Sequence, residues 1–209
     1  VVKTGGTGTS ILGGATGLTV VNNGTIDIRI GTLRLADTFS NAGTLKGNAT
    51  LQVVGTLTNN GTLAPGSFGA GTLNLQGSLV QTAASKLAID LTTLSAFDLL
   101  NISGSATLGG TLALNCLGAC SFAAGDSFTI LDAAGSLTGS FASITLSGFG
   151  SGAFSVLYDA PTASVRLLVT SAVTPVPEPQ TWALLLGGLG VVGWWRKRRW
   201  SSRPSFKLA

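Results

Sequence analysis

Eight acidic residues, two cysteines and no histidine narrow the reactive sites this 209-residue chain could build. Without histidine there is no Ser–His or Cys–His nucleophile and no His-ligated metal. Carboxylate chemistry remains, and it needs acids grouped on one face. The candidates are Asp27 beside Arg29 and Asp37 near Arg34. Asp27 and Arg29 share the outward parity of residues 26–30, which predicts a solvated surface ion pair worth under ~1 kcal/mol. Asp90 alternates outward between Ile89 and Leu91. Asp98 and Asp126 fall at turn–strand junctions, where Asp caps backbone, and Asp132 and Asp159 read as turn residues. No two acids stand two apart on one strand, so no catalytic residue is assigned and the chain is not expected to be an enzyme. Gly5-Gly6-Thr7-Gly8 lacks the Asp of a calcium-binding repeat, and no phosphate-binding loop occurs. The expectation is no metal and no cofactor.

The two cysteines, Cys116 and Cys120, bracket Leu117-Gly118-Ala119. Two thiolates without further ligands cannot complete a tetrahedral zinc site, and a redox Cys-x-x-Cys has two intervening residues rather than three. Outside the reducing cytosol they would form a local disulfide, worth about 2 kcal/mol for so short a loop. The alternative is two free thiols in a loop.

The elements that position these residues show in an internal repeat. Asn-x-Gly-Thr-(Leu/Ile) occurs at 22–26, 41–45 and 59–63, with its glycines 19 and 18 residues apart. Shorter Gly-Thr-Leu copies start at Gly31, Gly55, Gly71 and Gly110. Alternation with period 2 surrounds them, at Ile26, Ile28 and Ile30, Leu33 and Leu35, Leu51 and Val53, and Leu73 and Leu75. Short strands turned by Gly and Asn at a near-constant period suit the coils of an all-β parallel β-helix or β-solenoid, in which no coil buries its apolar face alone. Asn can satisfy turn backbone, adopt the left-handed conformation, or stack between coils. A β-sandwich or an irregular Gly-rich low-complexity chain is the competing reading. Residues 1–83 read as solenoid repeats. Residues 84–173 keep the alternation, lose the strict repeat and read as longer strands closing the solenoid, with a loop at 148–152.

Part of this second region resembles the C-terminal β-solenoid of autotransporter passengers. The resemblance rests on Asp98-Leu99-Leu100-Asn101-Ile102-Ser103-Gly104, Ala106-Thr107-Leu108-Gly109-Gly110-Thr111-Leu112, Gly125-Asp126-Ser127-Phe128-Thr129-Ile130-Leu131 and Gly139-Ser140-Phe141. No β-barrel translocator follows within the chain.

Charge is distributed unevenly. A charged fraction of 10% is low, and 44% hydrophobic residues with a net charge of +4 exclude wholesale disorder. Six of the twelve basic residues lie in the last fourteen positions, leaving six against all eight acids elsewhere if Glu178 is counted with the body. No basic cluster is left on a folded face, so nucleic acid is not an expected partner. The chain opens in repeat-like sequence with no signal peptide, which leads to the expectation of a C-terminal piece of a longer protein.

The tail has its own order. A Pro-rich linker, 174–180, contains Val176-Pro177-Glu178-Pro179. Fifteen uncharged residues follow, 181–195, with Trp182 at one end and Trp194 and Trp195 at the other. As a helix they span ~22 Å against a hydrocarbon core of ~30 Å. The aromatic ends sit as in an interfacial belt, and Arg196, Lys197, Arg198 and Arg199 can snorkel and would face the cytoplasm. Gly187, Gly190 and Gly193 leave a small-residue stripe. A single C-terminal transmembrane helix with its basic cluster is therefore expected at 181–199, and 200–209 is a tail extension. The order Val176-Pro177-Glu178-Pro179, apolar helix, basic cluster closely resembles the PEP-CTERM sorting signal. That resemblance implies export in a Gram-negative bacterium, transient or permanent anchoring in the inner membrane, and recognition by an exosortase-type membrane peptidase. It also implies release to the cell surface and association with exopolysaccharide or biofilm. The resulting expectation is a surface or matrix structural protein or adhesin. The alternative is a carbohydrate-active β-helix enzyme whose catalytic coils lie upstream.

Overall fold

The computed structural model describes residues 1–13, 19–35 and 38–175, together with Leu189. The chain divides into two units, Val1–Pro175 and Val176–Ala209. The first is all-β and winds as stacked coils with three faces. The first coil holds β1 (Val2–Lys3), β2 (Thr9–Leu12) and β3 (Thr19–Asn22), and the second β4 (Thr25–Ile28), β5 (Thr32–Leu35) and β6 (Thr38–Asn41). The third holds β7 (Thr44–Gly47) and the long β8 (Thr50–Asn59), and the fourth β9 (Thr62–Pro65) and the long β10 (Thr72–Gln81). The fifth holds β11 (Lys86–Thr93), β12 (Ala96–Phe97), β13 (Leu99–Ile102) and β14 (Ala106–Leu108), and the sixth β15 (Thr111–Cys116), β16 (Ser127–Ala133) and β17 (Leu137–Gly139). The end is formed by β18 (Ser143–Ser147), β19 (Phe149–Asp159) and β20 (Ser164–Pro175).

The first face is the ladder β1-β4-β7-β9-β11-β15-β18, parallel throughout, with β12 antiparallel on β11. The second face runs β2-β5-β8-β10-β13-β16, and the third pairs β3, β6, the far halves of β8 and β10, then β14 and β17. The long strands serve two faces because each bends at a glycine. Gly55 has φ 86° and Gly77 φ 137°, and a Cβ at Gly77 would run into Val53. Thr25, Thr44, Thr62, Lys86, Thr111 and Ser143 stack in register, with separations of 19, 18, 24, 25 and 32 residues. The period of the sequence repeat is thus the period of the early coils, and later coils carry insertions.

Alternation places one apolar column behind each face. Ile26, Leu45, Leu63, Leu87 and Leu112 stack behind the first face, Leu33, Leu51, Leu75 and Ile102 behind the second, and Leu57, Leu79 and Ala106 behind the third. All are buried in one core. Each leucine contributes about 1.5–3 kcal/mol by leaving water, and only coil stacking removes that surface.

The repeated Asn turns inward at one corner. Asn22 Nδ2 donates to Asn41 Oδ1, Asn41 Nδ2 to Asn59 Oδ1, and Asn59 Nδ2 to Gln81 Oε1, each at 2.7 Å. The same amide nitrogens donate to turn carbonyls, Asn41 to those of Gly43 and Thr62 at 3.1 and 3.2 Å. The ladder stops at Gln81 because the next coil offers Leu108 there, and the buried Gln81 Nε2 has no partner among the described residues.

Three sequence expectations change. Residues 148–152 are not a loop. Gly148, at φ 79°, is the bend that leads into β19, and residues 149–152 open the strand, where Gly152 at φ 112° sits at one of the bulges in its antiparallel pairing with β20. Asp132 is not a turn residue but lies within β16. Thr174 and Pro175, expected in the linker, end β20. Pro175 needs no donor at that position, facing Phe149 across the hairpin. Residues 83–84 form the turn between β10 and β11, and each ladder has strands on both sides of it. Parallel stacking ends on the second face where β20 pairs antiparallel with β16.

Candidate functional site

Asp27 is the best-connected acid. It sits outward on β4, yet it is only 2% exposed, because the turn between β9 and β10 folds over it. Arg29 Nε donates to Asp27 Oδ2 at 2.8 Å, Ser67 Oγ to Oδ1 at 2.5 Å, and Lys46 Nζ lies 3.9 Å from Oδ2. The predicted pair therefore forms, but as a buried carboxylate under a half-exposed guanidinium rather than a solvated pair. Burial pushes this carboxyl up. The Ser67 and Arg29 hydrogen bonds and the charges of Arg29 and Lys46 outweigh that and hold it below its usual value. Next to Ser67, Phe68 projects outward with the Arg29 guanidinium 4.3 Å and Lys46 Nζ 5.8 Å from its ring centroid. Ser67 and Phe68 carry no sequence signal for this role, since they enter from a loop two coils away. Asp37, the other candidate, lies outside the described residues.

Asp98 anchors a second corner. Its Oδ1 accepts from Gly71 N–H at 2.8 Å and its Oδ2 from Asp90 N–H at 2.9 Å. Burial raises its pKa to about 7 against those two bonds, and the neighbouring Asp90 adds to the rise. At 1% exposure it is closed to substrate. Asp90 instead accepts from Asn115 Nδ2 at 3.0 Å, and Asp126 accepts from Ala123 N–H at 2.8 Å. Among the described residues, no three His, Cys, Asp or Glu side chains gather as a metal site.

Cys116 and Cys120 are joined by a disulfide, with Cα atoms 5.9 Å apart. Cys120 is buried, and the segment after it carries Phe122, which stacks edge-on against Phe128 at 4.9 Å, with Phe97 on that ring at 5.3 Å. The bridge thus fixes the insertion that plugs the core between β15 and β16. Replacing both cysteines by serine should lower the unfolding free energy by about 2 kcal/mol. Urea midpoints of the oxidised and doubly substituted proteins check this, and equal midpoints would contradict it.

Val176, Pro177, Glu178 and Pro179, the tryptophans Trp182, Trp194 and Trp195, and the cations Arg196, Lys197, Arg198 and Arg199 lie outside the described residues, as does the expected membrane helix. Among the described residues no helix is long and apolar enough to cross a membrane.

What precedes this tail is a body of stacked parallel β-coils that ends at Pro175. Residues 175–199 are the PEP-CTERM protein-sorting motif. Motifs of this kind mark a membrane-anchored precursor exported to the cell surface, and exosortase, a membrane protease, processes them. Comparison with curated proteins gave no match.

Proposed function

We propose that this chain is an exported structural protein of the cell surface or extracellular matrix, an adhesin or scaffold of a Gram-negative bacterium. Its tail holds it in the inner membrane until an exosortase cuts near Pro177-Glu178-Pro179, and the β body then works outside, associated with exopolysaccharide or biofilm. The body carries no catalysis of its own. The observation that carries this reading is the sorting motif at residues 175–199, which begins where the last strand ends. The buried disulfide corner suits an oxidising compartment, and the buried Asp98 suits a structural rather than a catalytic carboxylate.

Expression in an exosortase-bearing host tests it. The full chain should appear outside the cell with its mass reduced by the tail. The double substitution Pro177→Ala, Glu178→Ala should leave an uncut precursor in the membrane fraction. An unchanged mass in the presence and absence of the peptidase would sink the processing step.

A further inference from the structure

Phe68 is 81% exposed, more than any other large hydrophobic residue described. It is not a loose loop tip. Ser67 ties its turn to Asp27, and the same carboxylate holds Arg29 by its Nε against the Phe68 ring. Lys46 lies on the same side, 5.8 Å from the ring centroid. Arg29 spends only Nε on Asp27, so its terminal amino groups remain without a protein partner among the described residues. One buried acid thus orients an apolar ring beside two cations. A single ligand with an apolar C–H face and a carboxylate would meet all three, the C–H face on the part of the Phe68 ring that Arg29 leaves exposed and the carboxylate on the guanidinium fork and the ammonium.

We propose that Arg29, Lys46 and Phe68 form a binding site for the uronate units of a linear acidic polysaccharide. This rests on the reading of the body as a matrix protein and names the class of glycan it would hold. The surroundings favour a polysaccharide over other polyanions. Beside this site, two residues back along each strand from Asp27 and Lys46, the first face carries a column of hydroxyls at Thr25, Thr44 and Thr62, followed by Lys86. Strand spacing puts one such group every ~4.8 Å along the solenoid axis, which suits a chain of sugars lying lengthwise. A peptide would add to a free strand edge, but β4 and β7 are both paired on both sides. An anionic bilayer is held by clusters of about four to eight cations, and here there are two.

Polygalacturonate is the probe, with dextran as the neutral control. The full chain is used in detergent, in a background with R196Q, K197Q, R198Q and R199Q so that the tail cluster adds no charge attraction. Immobilised polygalacturonate should retain the protein and dextran should not. Phe68→Ala and Lys46→Gln, each at a surface side chain, should each weaken retention about tenfold or more, with urea midpoints close to the parent. Added salt should weaken it further. No retention on polygalacturonate, or retention unchanged in both variants, overturns the assignment. Equal binding to poly-L-glutamate or to immobilised phosphatidylglycerol in the same detergent also overturns it, because the site would then read charge alone. The export and processing assay reads destination independently of glycan binding, so loss of this site leaves that result standing and the two failures are distinct.

Discussion

Asn41→Ala is expected to lower the unfolding free energy by about 3 kcal/mol or more. Asn41 is fully buried and is the middle rung of the amide ladder. Its removal takes the acceptor from Asn22, a donor from Asn59, and a donor from the carbonyls of Gly43 and Thr62. A buried polar group stripped of its partner costs about 1–3 kcal/mol, and several are stripped at once. The end of the ladder should behave differently. Gln81→Leu removes only one acceptor, from an Asn59 amide that still donates to Gly61, and it also removes the unpartnered Gln81 Nε2. Its cost should stay within about 1 kcal/mol. Urea unfolding of both variants decides the matter. Equal losses would mean that the ladder is not a connected network.

Stability should fall as pH rises from about 4 to about 8, and Asp98→Asn should flatten that slope. The folded-state carboxyl titrates at about 7, above its ordinary 3.8, because burial disfavours the charge and Asp90 repels it. A raised pKa means that the folded state binds the proton more tightly than the unfolded chain does. The stabilisation is therefore complete below about pH 4, declines through the window, and is gone once pH passes about 7. The size is on the order of a few kcal/mol. The chain has no histidine to obscure this window. Asp27 runs the other way. Its lowered pKa gives stability above the ordinary carboxylate range, which is lost only as pH falls below it. Maximum stability is expected near the lower end of the window. Unfolding midpoints at pH 4.5, 6 and 8 test this, and a parent slope matched by Asp98→Asn would remove Asp98 as its source.

Both predictions turn on residues that differ in how far the sequence disclosed them. Asn41 was legible. It recurs once per coil with Asn22 and Asn59, and a repeat of that length needs a reason such as stacking. Asp98 was legible as a backbone cap, but not as a carboxyl titrating near neutrality. Gly71, one of its two donors, lies 27 residues back on another coil. Asp27 read as an outward surface residue, and its parity was right. The turn that buries it brings Ser67 from 40 residues away. The bulged β19 read as a loop because glycine carries the same local signal in a turn and in a bulge, and only the β20 partner separates the two.

The sequence by itself determined the rungs and the address. Period-2 alternation, an Asn per turn and a contiguous sorting motif are all signals carried within some 25 residues or fewer, set by local backbone preference and hydrophobic pattern. Tertiary structure alone decided which acids are buried, where the amide ladder ends, and which cations meet Phe68. Those outcomes depend on which coil lies over which, and coil insertions of unequal length set that overlap without leaving a local trace.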